Sequence, residues 1–253
     1  MAGAIYPDLA GRTVLVTGGA TGIGEAIVRA FARQKSRVAF IDIQQAPAEA
    51  LVRDLHEQGA DVHFERADLT DIAALRTAVD TVRGRFGPIT ALVNNAAFDE
   101  RHATQDVTPE QWDALMAVNL RHQFFAAQAV LPDMTAARGG AIVNFASISW
   151  MTGMGGMAVY TAAKSAVLGL TRSLARDYGP FNVRVNAVAP GWIRTERQQR
   201  KWITPEGEKR MLDAQCLKRW LVPDDVARFV VFLISDEAAA CTSQHYVVDG
   251  GWV

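Results

Sequence analysis

Apolar positions along the chain follow two rhythms that take turns from one end to the other. Short runs dense in β-branched residues read as strands, and longer stretches with apolar residues at every third or fourth position read as helices. Thr13–Thr17 is the first strand; past the glycine-rich Gly18–Gly24, the residues Ile23, Ala26, Ile27, Ala30 and Phe31 share one helical face. Arg37–Ile41 predicts a second strand ending at Asp42, followed by a helix over Ala48–Gln58, a strand over Asp61–Glu65, a helix over Ile72–Phe86 and a strand over Ala91–Asn94. Pro109–Asp133 reads as one long helix, Ala141–Ala146 as a strand, Val159–Tyr178 as a helix and Val183–Val188 as a strand. A helix over Pro223–Ile234 and a strand over His245–Val248 complete the series.

Strands and helices alternating at these lengths imply right-handed crossovers and a parallel sheet covered on both faces. The predicted fold class is α/β, a doubly wound sheet, with residues 1–253 as a single domain free of internal repeats, low-complexity tracts and linkers. One segment breaks the alternation. Trp192–Trp220, rich in Arg, Lys, Gln and Trp, follows Pro190-Gly191 at the carboxyl end of a strand, where such sheets bind ligands, and is a candidate substrate lid.

Composition narrows the partners. Against 26 basic side chains stand 27 acidic ones, a formal charge of -1, so no electrostatic feature calls for nucleic acid or an anionic membrane. The two cysteines, Cys216 and Cys241, lack ligand-like spacing; a disulfide framework and a metal site are not expected, and Cys216 is expected to be a small buried hydrophobe. No export signal is read at the N-terminus, and the apolar run Phe229–Ile234 is too short to span a bilayer, so a soluble cytoplasmic protein is expected.

Chemistry concentrates in two places. Tyr160 and Lys164, four apart, share a helical face, and Ser147, after a strand-like run, can return to the same point. A phenol is a weak acid with a pKa near ~10, and a neighbouring ammonium favours its phenolate, so the trio outlines a proton-transfer site. Alone, the pair also fits a half-buried ring beside a solvated amine. The second place is the turn Gly18–Gly24, spaced G-x-x-x-G-x-G, which lets backbone approach a diphosphate at a helix N-terminus. Asp42 ends the next strand where a carboxylate accepts from an adenosine ribose and repels a 2′-phosphate, and neither Thr21 nor Ile43 supplies a compensating cation, which favours NAD over NADP.

The motifs Thr17-Gly-Gly-Ala-Thr-Gly-Ile-Gly24, Asn94-Asn-Ala-Ala97, Asn119, Ser147, Tyr160-x-x-x-Lys164 and Pro190-Gly191 together resemble the short-chain dehydrogenase/reductase family over essentially the whole chain. The resemblance implies a Rossmann-like sheet of seven strands and a catalytic tetrad of Asn119, Ser147, Tyr160 and Lys164, with Asn119 anchoring a water that links Lys164 to solvent. It further implies cofactor contacts from Gly18, Thr21, Gly22, Ile23, Gly24, Asp42 and Ile43, from Asp68 and Leu69 beside the adenine, from Asn95 and Ala96 along the adenosine, and from Pro190, Gly191 and Ile193 beside the nicotinamide. Ala97 stands where the family usually has glycine. Tetramers packed through the two long helices are usual in such a family, which implies a homotetramer.

Loop motifs carry a closer resemblance. Ala4-Ile-Tyr-Pro7, Asp99-Glu-Arg-His102, Asn119-Leu-Arg-His122, Ser147-Ile-Ser-Trp150, Trp202-Ile-Thr-Pro-Glu-Gly207 and Gly251-Trp252 are similar to bacterial aldose 1-dehydrogenases of the D-xylose and L-arabinose type, which implies oxidation of an anomeric hydroxyl to a lactone. A sugar presents several hydroxyls and one apolar face. Asp99, Arg101, Ser149, Arg197, Gln198 and Gln215 would supply polar contacts, and Trp150, Trp192 or Trp202 an aromatic plate. Asp99 and Arg101 also fit a surface ion pair, and His102 and His122 fit hydrogen-bonded structural roles. Two other functions stay open: a reductase of a different carbonyl, such as a keto-deoxy sugar acid or 3-oxoacyl thioester, and a non-catalytic nucleotide sensor on the same fold.

Overall fold

The computed structural model describes residues 3–253; Met1 and Ala2, which begin the stretch read for an export signal, lie outside them. Seven strands form one parallel sheet in the order β3-β2-β1-β4-β5-β6-β7. They are β1 (Thr13–Thr17), β2 (Arg37–Asp42), β3 (Val62–Arg66), β4 (Ala91–Asn94), β5 (Gly140–Phe145), β6 (Val183–Pro190) and β7 (His245–Val248). Every residue of β1, β4, β5 and β6 is buried, as continuous apolar runs in a parallel sheet require.

Helices cover both faces. Ile27 and Phe31 of α1 (Gly22–Arg33) and Leu51 of α2 (Gln45–Glu57) pack one face together with Val226 and Val230 of α9 (Pro223–Ile234). On the other face Leu75 and Val79 of α3 (Ile72–Phe86) meet Val130 and Met134 of α5 (His122–Ala136) and Leu174 of α6 (Ala158–Tyr178). Strand order reverses between β1 and β4, so the loops after them part and leave a crevice at their carboxyl ends.

Three departures from the periodicity have physical causes. The helix expected over 109–133 is interrupted: α4 (Pro109–Met116), opened by a Thr108–Gln111 capping box, passes into a π-helical turn at Ala117–Arg121 before α5 begins. Strand β6 runs two residues further than read, because its end, Ala187–Pro190, pairs with β7 along its whole length. Strand β5 begins one residue early at Gly140, where a Cβ would lie 2.6 Å from Met134.

Between β6 and α9 the irregular segment contains two short helices, α7 (Glu196–Lys201) and α8 (Pro205–Ala214), each capped by a threonine, Thr195 and Thr204. A bridge between Ile193 and Leu221 closes its base, and Trp192 meets Trp220 edge to face at 5.6 Å. Among the described residues no helix is long and apolar enough to cross a membrane.

Candidate functional site

One cleft of about 2110 Å³ runs along the carboxyl ends of β1, β2, β4, β5 and β6 and under the 192–220 segment. That exceeds the roughly 300–1,000 Å³ of a drug-sized pocket and leaves room for a long ligand with a second molecule beside it. All the residues expected to touch a dinucleotide line it, from Gly18, Thr21, Gly22, Ile23 and Gly24 through Asp42, Ile43, Asp68, Leu69, Asn95 and Ala96 to Pro190, Gly191 and Ile193.

The glycine turn is shaped by close approach. A Cβ on Gly24 would run into the Gly18 carbonyl oxygen, and one on Gly18 would sit 2.8 Å from the Ala96 Cα. Gly22 holds φ at +61°. Asn95 locks the turn by donating from Nδ2 to the carbonyls of Thr17 at 3.1 Å and Gly18 at 2.8 Å. Thr21, at the N-cap of α1, makes no side-chain cap bond, so the first amide groups of that helix face the cleft as donors. Bare backbone donors in a cradle without side chains fit a diphosphate. Asp42 is 7% exposed and held in place, its Oδ2 accepting from Ala20 N at 2.9 Å and its Oδ1 from Gln44 N at 3.0 Å.

The proton-transfer groups do converge. Lys164 Nζ lies 5.7 Å from the Tyr160 ring centroid and donates to the Phe145 carbonyl at 2.9 Å. Burial lowers the Lys164 pKa to about 7. Tyr160 behaves differently from the expectation that the ammonium draws its pKa down. Burial and then the like charge of Asp99 push the phenol well above its ordinary value, with only the Ser147 hydroxyl opposing them. Ser147, two residues past the end of β5, is extended, and its Oγ accepts from Ser149 N at 3.1 Å.

Asn119 has its side chain committed to main-chain partners. It sits in the π turn, away from the cleft lining, and commits both amide protons to the carbonyls of Phe98 at 3.0 Å and Leu115 at 2.9 Å, while its Oδ1 accepts from Phe98 N at 2.9 Å. The side chain therefore ties the loop after β4 to the helix, and a water anchored by Asn119 would be held by one of its oxygens. His122 is a structural residue: full burial, with the nearby Lys164 charge, lowers its pKa to about 3 and keeps it neutral.

At the far end of the cleft Asp99 joins two elements. Its Oδ1 accepts from Arg197 Nε at 3.2 Å and its Oδ2 from Gln198 Nε2 at 2.6 Å, while Trp192 Nε1 donates to Gln198 Oε1 at 2.8 Å. The Asp99–Arg101 pair does not form; Arg101 lies over the Trp202 ring at 4.8 Å and Arg197 over Phe98 at 4.7 Å. Ser149 also lines the cleft. Two substrate candidates do not. Trp150 turns toward His245, and Gln215 is buried under the end of α8, donating to the carbonyls of Leu217 and Arg219 at 2.9 and 3.0 Å. Cys216, expected inside, is exposed, because Gln215 takes the inward position. Ala97 is exposed in the cleft wall, so its methyl group displaces no neighbour.

Sequence reasoning passed over Phe98 and Thr195, which line the same cleft, and had Trp252, which also lines it, only within the motif Gly251-Trp252. A Cβ on Gly22 would be 3.3 Å from the Thr195 methyl, so this threonine lies over the glycine turn. Thr195-x-x-Gln198 carries the spacing of a helix start, a signal that was legible.

The family model described as enoyl-(acyl carrier protein) reductase matches residues 18–253. The protein named "Probable galactose dehydrogenase GalD" of Rhizobium meliloti (strain 1021) is 50% identical over 97% of this chain and 96% of its own length. D-xylose 1-dehydrogenase of Caulobacter vibrioides is 44% identical over 100% of both chains. Among solved structures, gox2181 has a TM-score of 0.92 at 33% identity, covering 97% of this chain and 98% of its own. A mutant short-chain dehydrogenase/reductase of Serratia marcescens has a TM-score of 0.90 at 34% identity, covering 97% of this chain and 99% of its own. Likeness that runs the full length in both sequence and backbone leaves one conclusion: the chain belongs to the short-chain dehydrogenase/reductase family of oxidoreductases, whose fold binds a nicotinamide cofactor.

Proposed function

We propose that the chain oxidises the anomeric hydroxyl of an aldose, a pentose or related sugar, to the sugar lactone with NAD. One observation carries the reading: a half-buried phenol and hydroxyl and a buried amine open onto a wall in which Asp99, Arg197, Gln198 and Trp192 are joined by hydrogen bonds. Hydroxyl-rich substrates need such forked acceptors and donors beside an aromatic plate, which Trp192 and Trp202 supply; a fatty chain would need an apolar groove. Relatives named for galactose and D-xylose oxidation add to it.

Preference for NAD rests on Asp42. Its oriented carboxylate suits a ribose diol and repels a 2′-phosphate, and the nearby cleft cation, Arg29, is already paired with Glu25 and Asp54. Gly18, Gly22 and Gly24 would hold the diphosphate, Asp68 and Leu69 the adenine, and Lys164 the nicotinamide ribose. NAD, when bound, takes up the hydride that leaves the sugar carbon. Ser147 holds the reacting oxygen, and Tyr160 removes its proton. Residues 192–220 act as the lid that excludes water.

The whole chain works as one catalytic domain, as a cytoplasmic homotetramer. Supporting the assembly is a largely apolar hollow on the outer face of α4, α5 and α6, where Met116, Leu120, Phe124, Phe125, Ala166 and Leu170 lie beside Arg121, with Phe124 40% exposed. Both cysteines are free thiols, as a reducing compartment requires.

Cofactor reduction across a panel of aldoses tests the reading, with NAD and NADP supplied separately. Turnover with pentoses or galactose, and at least about tenfold higher kcat/KM for NAD, is expected; tenfold corresponds to 1.36 kcal/mol of discrimination. No reduction with any aldose, together with oxidation of NADH by a 3-oxo compound, would assign the chain to the carbonyl reductases instead.

A further inference from the structure

We infer that His102 is a positioning residue: the segment Phe98–His102 is a strap that ties the 192–220 lid to the first turn of α6 and so fixes where Tyr160 stands. The inference rests on Tyr160 as the reacting base. Helix α6 starts without a local cap, since Met157 at its N-cap makes no side-chain bond. A nearby Ser, Thr or Asp normally accepts from the second or third amide of a helix. Here that acceptor comes from 57 residues away, with His102 Nε2 accepting from Val159 N at 3.4 Å. Val159 directly precedes Tyr160.

Five further hydrogen bonds and one cation–π contact make the segment a strap. Its end is sewn to the loop before α6 by the His102 amide, which donates to the Gly156 carbonyl at 2.8 Å. Its beginning is clamped to the π turn, both main-chain groups of Phe98 being taken by Asn119. Between them Asp99 holds the lid through Arg197 and Gln198, and Arg101 lies on Trp202. Five consecutive residues thus touch the lid on one side and the catalytic helix on the other. Nε2 accepts only in the neutral ring with its proton on Nδ1, and that Nδ1 is buried without a partner. The imidazole therefore makes its one side-chain hydrogen bond to α6.

Two variants of the full chain test this. His102→Gln keeps an acceptor near the position of Nε2, and His102→Leu fills the space without one. Losing a helix cap costs about 1 kcal/mol, so His102→Leu should lower kcat by about tenfold or somewhat less, with NAD affinity and sugar KM within about twofold, and His102→Gln should recover most of the loss. A second readout needs no turnover: amide hydrogen exchange over residues 158–164 should be faster in His102→Leu than in wild type or His102→Gln, and Gln198→Ala should quicken the same amides by freeing the strap at the lid. Unchanged exchange over 158–164 in His102→Leu, or a glutamine variant as impaired as the leucine one, would overturn the inference. Wild-type inertness toward every aldose with the exchange pattern present would remove the sugar reading and leave the strap standing.

Discussion

Asp99 is the residue on which most of the site's behaviour turns. It neutralises Arg197, orients Gln198 and at the same time makes Tyr160 harder to ionise, adding its like charge to the effect of burial. Because the phenol's pKa is raised, the base form is scarce at neutral pH and grows as pH rises, so kcat/KM is expected to climb through the alkaline range. Replacing Asp99 with Asn removes the like charge, which lowers the phenol's pKa, and the rising limb should move to lower pH even if the lid contacts weaken the absolute rate. In Tyr160→Phe the limb should vanish along with turnover, a fall of roughly 10²–10⁴-fold, while NAD still binds. A pH–rate series on the three proteins checks both; a limb that stays in place in Asp99→Asn would show that the carboxylate does not act on the phenol. At this scale the sequence named Tyr160, Lys164 and Ser147 because helical spacing alone puts the first two on one face. It misjudged Trp150, Gln215 and Cys216, whose surroundings are set by the tertiary packing.

Among the elements, the turn from β1 to α1 is the most tightly specified. Its glycines are required by contact, since Gly24 lies against the Gly18 carbonyl and Gly18 against Ala96. Gly24→Ala should therefore push the turn open, costing about 1–3 kcal/mol as overpacking does. At about 2–4 °C of melting temperature per kcal/mol for a chain of this size, thermal melting should show a drop of several degrees, and fluorescence titration should show NAD affinity reduced more than tenfold. Full affinity in that variant would mean the turn is not where the diphosphate rests. The π turn at Ala117–Arg121 was not legible, because apolar spacing continues across it; the extra residue is accommodated by Asn119 bonding the Phe98 backbone, a tertiary contact. The two short helices over the cleft were foreseen only as an irregular insertion. The contacts that hold this segment, Trp192 on Trp220 and Trp220 on Glu208 of α8, bring together residues that no periodic pattern relates.

For the molecule as a whole, the outer face of α4, α5 and α6 carries an apolar hollow with Phe124 exposed in it. Phe124→Glu places a charge in the apolar hollow that Met116, Leu120 and Leu170 line, and should halve or quarter the particle mass measured by light scattering, with the fold retained in circular dichroism. An unchanged mass would show that this face does not hold subunits together. The amino-acid sequence by itself determined the alternation of strands and helices, hence a parallel sheet wound on both sides, and the cofactor turn, because backbone periodicity and glycine's freedom are local properties. It also determined the phenol–amine pair, four residues apart on one helix. Only the tertiary structure decided how easily that phenol ionises, which of the polar loop residues meet, and that His102 caps a helix 57 residues away. Those depend on burial and on distances between segments that the sheet order, not the order of residues, brings side by side.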